Sequence, residues 1–320
     1  MKNSIQQAPV LYFPVKASPL QMEAGFYPLG KDLGGGEVDQ YCFLKDEQFE
    51  QYIMNKRQAE SFGHWVTWQS NHEQALNGQK EILPHSVHAQ KQVEDYDPFH
   101  HLALQHLVEL QQKDLGLEPP PSFHAWQREL KKKDPLRIQL REHAQLLYHE
   151  LSMRVQEDIC FLLHKPYSSL IMGHICTPSF WRPEHVKNAS FWDIHHPVPG
   201  FPRDERVADR LAEHISKKGP FVRFVWTLTT DAKLDQHPRH PRGSWDDAKQ
   251  VWYRVERQIT IPLQGLGAIF LIRCYVHPLS RLSQKQRHIL KQAIELMPQE
   301  IAEYKGLGGL KASERLLSLF

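Results

Sequence analysis

The chain has no long apolar run, no cysteine pair and almost no net charge, and each absence removes a class of function. No stretch of unbroken apolar sequence is long enough to span a bilayer, and the opening Met1-Lys2-Asn3-Ser4-Ile5-Gln6-Gln7 lacks the apolar segment and small-residue cleavage site of a secretory leader. Only four cysteines occur among 320 residues. Cys42, Cys160, Cys176 and Cys274 stand far apart with no CxxC spacing, which argues against a disulfide framework and against a cysteine-rich zinc or iron-sulfur site. A reduced, cytoplasmic protein is expected. The 39 basic and 37 acidic side chains leave a net charge of +2, too little for a global field that would hold nucleic acid or an acidic membrane. Nucleotide fingerprints are missing too. Gly306-Leu307-Gly308-Gly309 and Gly265-Leu266-Gly267 lack the spacing of a dinucleotide loop, and there is no GxxxxGK[ST], HExxH or GxSxG.

What remains is globular, with 41% hydrophobic and 24% charged residues and enough chain for a sizeable core. Twenty histidines, including the doublets His100-His101 and His195-His196, are the compositional oddity. Histidine is the commonest metal ligand, so the question is which imidazole meets a pocket.

The first half reads as helical and loop-rich. Gly34-Gly35-Gly36 is turn material; Phe49, Tyr52 and Ile53 recur at helical spacing between Lys45 and Arg57. Residues 70 to 98 are polar and aperiodic, which predicts a surface loop. Leu102, Leu107, Val108 and Leu110 predict a helix that ends before Pro119-Pro120-Pro121, and Leu140, Ala144, Leu147 and Leu151 predict another after Pro135.

The second half changes to short runs of β-branched and aromatic residues. Five strands are expected, at Val155 to Leu163, Ser168 to Cys176, Phe221 to Thr230, Val251 to Ile261 and Gly267 to Val276. A proline-rich insertion and a helix from Asp204 to Lys218, stopped at Gly219, separate the second from the third. A last helix begins at Ser283, whose partner Gln286 completes a capping box. The fold class is thus α+β: a PAS-like five-stranded antiparallel sheet with a helical crossover and helical extensions at both ends. The expected division is a helical, loop-rich N-terminal extension over 1–150, a core with its C-terminal helix over 151–305 and a tail over 306–320.

In the strand Val251 to Ile261, alternation sets Arg257 on a face with Val251, Tyr253, Val255, Ile259 and Ile261. A guanidinium there needs an anion, and the default is a buried carboxylate or escape to a sheet edge. Arg254 and Glu256 fall on the other face, where a solvated pair is the default. Arg223 shares a face with Phe221, Val225 and Thr227. Two arginines from neighbouring strands suit one doubly charged ligand. His195 and His196 precede the rigid Pro197-Val198-Pro199, a backbone stiff enough to orient a metal ligand. His214 shares a helix face with Val207 and Leu211.

An ordered set of these motifs resembles the haem-dependent oxidative N-demethylase alpha subunits. Val155-Gln156-Glu157-Asp158-Ile159 is similar to that family's VQED strand, and Pro178-Ser179-Phe180-Trp181 with Lys187 to its PSxW segment. Ile194-His195-His196-Pro197-Val198-Pro199 is similar to its IHxPVP signature, Arg223-Phe224-Val225-Trp226 to its RxNW motif, and Arg254-Val255-Glu256-Arg257-Gln258 with Pro262 to its RxERQ segment. The resemblance is strong from Val155 to Leu279 and weaker before, where it rests on Gly25 to Asp39. It implies a PAS fold binding haem b, which oxidises a small secondary amine with O2 and receives electrons from reductase subunits carrying FMN and a 2Fe-2S cluster. Carried over by position, His195 is the iron ligand with His214 in reserve. Arg223 and Arg257 bind haem propionates or polarise bound oxygen, Trp226 is cofactor-binding, and Glu256 holds the cationic amine. Val225 replaces the family's Asn. The alternatives are a haem-PAS gas or redox sensor or haem carrier that performs no reaction, and a relative with another ligand or none.

Overall fold

The computed structural model describes residues 8–17, 25–31, 40–62, 86–132, 137–164, 168–186, 189–312 and 320. Its centre is one antiparallel sheet of six strands: β1 (Tyr27–Pro28), β2 (Asp158–Leu163), β3 (Ser169–His174), β4 (Phe221–Thr229), β5 (Trp252–Leu263) and β6 (Gly267–Pro278), in the spatial order β1-β4-β5-β6-β2-β3. The five long strands lie where apolar alternation put them. The sixth, β1, is two residues pairing with the start of β4, too short for alternation to reveal. The expected first strand begins only at Asp158, because Val155, Gln156 and Glu157 form a turn ahead of it.

Around the sheet lie α1 (Phe49–Ser61), α2 (Ser86–Leu115), α3 (Pro121–Leu130), α4 (Arg137–Ser152), α5 (Phe191–His195), α6 (Glu205–Lys217), α7 (Gln284–Glu295), α8 (Gln299–Tyr304) and α9 (Gly308–Ala312). The predicted loop over 70–98 is corrected in part: residues 86–98 are the first turns of α2, and the rest of that loop up to residue 85 lies outside the described residues, as do Gly34-Gly35-Gly36, Asp39 and Lys187. α7 starts at the expected capping box, with Ser283 Oγ accepting from the Gln286 amide at 3.2 Å and the Ser283 amide donating to Gln286 Oε1 at 2.9 Å. The stretch from 306 includes α9.

Both faces of the sheet are covered, and this positions everything that follows. One face packs Ile159, Phe161, Val222, Ile259, Ile261 and Leu271 against Leu104, Leu107, Leu147 and Leu151 of α2 and α4. Farther along the same face, Tyr253, Val255 and Tyr275 meet Leu290, Ile294 and Ile301 of the C-terminal helices. Against the opposite face lies the crossover between β3 and β4, holding α5 and α6. The β2–β6 pair is tight: a Cβ on Gly267 would lie 2.1 Å from the Leu162 carbonyl oxygen, so glycine is required there.

Arg257 sits on the core face, as the alternation indicates, directly across from Arg273 of β6. Two buried arginines side by side are offset by the segment before α1. Arg257 donates to the carbonyls of Cys42 at 3.2 Å and Tyr41 at 2.5 Å, while Arg273 pairs with Asp46 at 2.5 Å and donates to the Leu44 carbonyl. Glu157 lies 3.6 Å from Arg273. The Val155-Gln156-Glu157-Asp158 motif ties the same region together. Gln156 accepts from the Asp46 amide at 2.9 Å, Glu157 from the Leu44 amide at 3.1 Å, and Asp158 from the amides of Cys176 and Thr177 at 3.0 and 2.8 Å.

Candidate functional site

Between the crossover and the sheet is a cavity of about 800 Å³, at the roomy end of the range for cofactor and small-molecule sites. Its apolar walls include Leu170, Ile175, Leu211, Phe270 and Ile272. The sheet contributes one side of alternate strand positions: Arg223, Val225 and Thr227 from β4, and Arg254, Glu256, Gln258 and Thr260 from β5. The face expected to be solvated therefore lines the cavity, because the crossover covers it.

His195 is the last residue of α5, a five-residue helix. The Ser190–Asp193 capping box fixes its start, with the Asp193 amide donating to Ser190 Oγ at 3.0 Å and the Ser190 amide to Asp193 Oδ2 at 3.1 Å. The ring is clamped between Phe191 and Phe201, at centroid distances of 4.1 and 5.4 Å. His195 Nδ1 lies 2.8 Å from the Phe191 carbonyl oxygen. A carbonyl only accepts, so Nδ1 carries the proton and Nε2 keeps a lone pair. Burial, with Arg223 adding repulsion, lowers the imidazole pKa from 6.5 to about 4, so the ring is neutral at neutral pH. A neutral imidazole, oriented by a backbone acceptor on its far nitrogen and set in a cavity wall, is the form that ligates metals. His214 does not share this position. It is exposed on α6, stacked on Phe221 at 5.3 Å, and is not part of the cavity wall.

Glu256 faces the cavity, against the outward orientation expected from sequence. It accepts from Ser179 Oγ and, at 2.7 Å, from Gln258 Nε2. Ser179 in turn accepts from Arg254 Nε at 2.8 Å. The remaining Arg254 donors go to the carbonyls of Leu234 and Thr177 at 3.0 and 2.8 Å and to Cys274 Sγ at 2.9 Å. The Pro178-Ser179-Phe180-Trp181 segment thus buttresses the carboxylate, and Phe180 holds a left-handed backbone, φ 65°, under the Arg242 guanidinium at 3.6 Å.

Arg223 projects into the cavity and, among the described residues, makes no hydrogen bond or ion pair; its guanidinium lies 5.9 Å from the Phe26 ring centre. Burial lowers its pKa, with Glu256 opposing. Lys305, just past α8, is a residue the sequence reading missed. Its ammonium donates to the Trp226 carbonyl at 2.7 Å and lies 5.3 Å from the Trp226 ring. Burial pulls its pKa from 10.5 to about 8, despite Glu256 nearby. Trp226 is buried and reaches the cavity wall. Arg257 is absent from that wall, so its expected contact with a cavity ligand gives way to the carbonyls of Tyr41 and Cys42.

The structure therefore brings His195, Arg223, Trp226 and Glu256 together and leaves out Arg257 and His214. A family model described as haem-dependent oxidative N-demethylase, alpha subunit-like, matches residues 55–313. The chain belongs to this family. Its description indicates dependence on haem and a place as one subunit of a larger enzyme. The match covers every motif that carried the resemblance and extends well before Val155, but begins after Gly25 to Asp39. None of the curated proteins matches the sequence. No helix among the described residues is long and apolar enough to cross a membrane.

The cavity fits a haem on its own chemistry. It offers the oriented lone pair of His195, broad apolar walls, and in Arg223 and Lys305 two cations that lack a full set of protein counter-charges, as anionic propionates require.

Proposed function

We propose that this chain is a haem b-binding, PAS-like oxygenase subunit that removes a methyl group from a small secondary amine, using O2 and electrons from reductase subunits that carry FMN and a 2Fe-2S cluster. The observation that carries the reading is His195, whose orientation directs a lone pair rather than a proton into a cavity of cofactor size. Five antiparallel strands with a helical crossover over one face support the PAS-like part.

Bound haem supplies the oxidation of the N-methyl carbon, which no side chain here can perform. The protein's work is positioning. His195 holds the iron, and the phenyl rings beside it prevent the imidazole from turning. Arg223 and Lys305 answer anionic groups. Glu256, kept in place by Ser179 and Gln258, offers a carboxylate to the substrate ammonium. Val225, on the cavity side of β4 where the family motif carries Asn, removes an amide hydrogen-bonding group and favours an apolar substituent at that point.

The test is spectroscopic and catalytic. Chain purified from haem-supplemented cells should show a Soret band that His195→Ala abolishes and His214→Ala preserves. With an artificial reductant it should consume O2 and release formaldehyde only when an N-methylated secondary amine is present, and Glu256→Gln should reduce turnover at least about 100-fold while retaining haem. Reversible O2 binding without amine consumption refutes the enzymatic reading. A Soret band that survives His195→Ala refutes the assigned ligand.

A further inference from the structure

A second group of donors lies on the other face of the sheet. His174 ends β3 and pairs across the ladder with Ile159, a core-face residue, so its ring points away from the haem cavity. There it meets Glu60 from the last turn of α1 and His149 from the last turn of α4. Glu60 Oε1 lies 2.6 Å from His149 Nε2 and 2.8 Å from His174 Nε2, and the three atoms all fall within 4.8 Å of one another. The two imidazole rings cross at 68°, directing both Nε2 atoms at one point without stacking. We propose that Glu60, His149 and His174 bind one zinc-class divalent cation, with two imidazole nitrogens and one carboxylate oxygen as ligands and a fourth position open to solvent beside His149.

The geometry is close to what such an ion needs. Zinc bonds of about 2.0–2.1 Å in a tetrahedron place neighbouring ligand atoms about 3.3 Å apart. The two separations from Glu60 Oε1, 2.6 and 2.8 Å, open by about 0.5–0.7 Å, within reach of side-chain torsions on three separate elements. Two imidazoles and one carboxylate form a donor set that zinc accepts, leaving one site for water. On coordination each ring carries its proton on Nδ1, leaving Nε2 for the ion. His174 Nδ1 lies 3.6 Å from Cys176 Sγ, which then accepts from it and holds the ring in place. The side chain of His174 is fully buried and that of His149 is 39% exposed, so the site has a fixed inner wall and an entry path.

Local charge also suits a cation. The nearest ammonium, Lys56, is taken up by the carbonyls of Ser152 and Glu157 at 2.8 and 2.6 Å, with the Asp158 carboxylate close by. That leaves the Glu60 carboxylate as an additional negative charge at the site. The ion would join α1 and α4 to β3, three pieces far apart in sequence.

The experiment uses the full-length chain, stripped with a chelator and given zinc alone. We expect one zinc per chain after gel filtration and a rise in Tm with added zinc. Cobalt in its place should give the intense visible absorption of a tetrahedral ion. Glu60→Gln and His149→Asn should each weaken zinc binding at least about tenfold, with unchanged circular dichroism. His195→Ala should keep the zinc, separating this site from the haem. Failure to retain zinc, or retention that both variants leave unaltered, would overturn the proposal; the second result would mean adventitious binding to surface histidines.

Discussion

Replacing Lys305 by methionine should make the haem-free chain more stable, although it removes a hydrogen bond. The ammonium's pKa falls from 10.5 to about 8 because folding strips it of water. Each pKa unit is worth about 1.36 kcal/mol, so keeping this cation at neutral pH costs the folded chain up to about 3 kcal/mol. Methionine has similar length, needs no water and forgoes the bond to the Trp226 carbonyl, worth about 1 kcal/mol, while its thioether takes over the ammonium's contact with the Trp226 ring. A net gain of about 2 kcal/mol is expected at pH 7. The sign reverses with pH in a defined window. Between pH 8 and 10.5 the unfolded chain keeps the lysine proton and the folded chain has released it, so wild-type stability rises there relative to the variant. Above pH 10.5 the advantage of Lys305→Met should be gone. Urea unfolding of both proteins at pH 7, 9 and 10.5 measures the difference, from which other titrating groups cancel. A variant less stable than wild type at pH 7, or a difference that does not change with pH, would show that the ammonium is comfortably solvated. The cavity would then hold no unmet positive charge. Where the variant is the more stable at pH 7, haem or another anionic occupant should stabilise wild type more than Lys305→Met.

Arg257→Met should leave the Soret band in place and lower stability by about 3 kcal/mol, because two buried carbonyls lose a charged donor; loss of haem without loss of stability would return Arg257 to the cofactor. Gly267→Ala should cost at least about 2 kcal/mol in urea unfolding, since its Cβ meets the Leu162 backbone at 2.1 Å and the Phe99 ring at 2.5 Å; a neutral effect would mean that β2 and β6 separate easily.

Much of this was legible from residue order alone. Alternation located the five long strands, and it grouped Arg257 with Tyr253, Val255 and Ile259 and Glu256 with Arg254, as the structure does. What alternation cannot say is what covers each face. The polar face of β5 was read as solvated because polar side chains usually meet water, yet here the crossover closes over them. The signal that could have corrected this is the segment Pro178 to Trp181, whose serine had no evident partner until Glu256 turned toward it. Lys305 was out of reach for another reason: it belongs to no periodic pattern, and only the packing of α8 against β4 brings it to the cavity. The polar start of α2 reads as a loop because a helix can be propagated from its buried end, here Phe99 to Leu110, without periodicity of its own.

The two faces of the sheet handle positive charge in opposite ways, and the contrast locates the ligand better than any one residue does. On the core face, Arg257 and Arg273 are buried side by side, an arrangement that burial would forbid without acceptors. The chain supplies them from the Tyr41 to Asp46 segment, so both guanidiniums anchor the N-terminal region through their terminal nitrogens. On the cavity face, Arg223 and Lys305 are desolvated as well, and the chain offers them one shared carboxylate at a distance and a single carbonyl. A fold that gives the first pair three backbone carbonyls and a carboxylate has no structural need to leave the second wanting. The shortfall falls beside His195, whose lone pair is also unclaimed by any described residue. Cations in want of an anion, next to an imidazole able to take a metal, are what a cavity built around a charged metal cofactor requires.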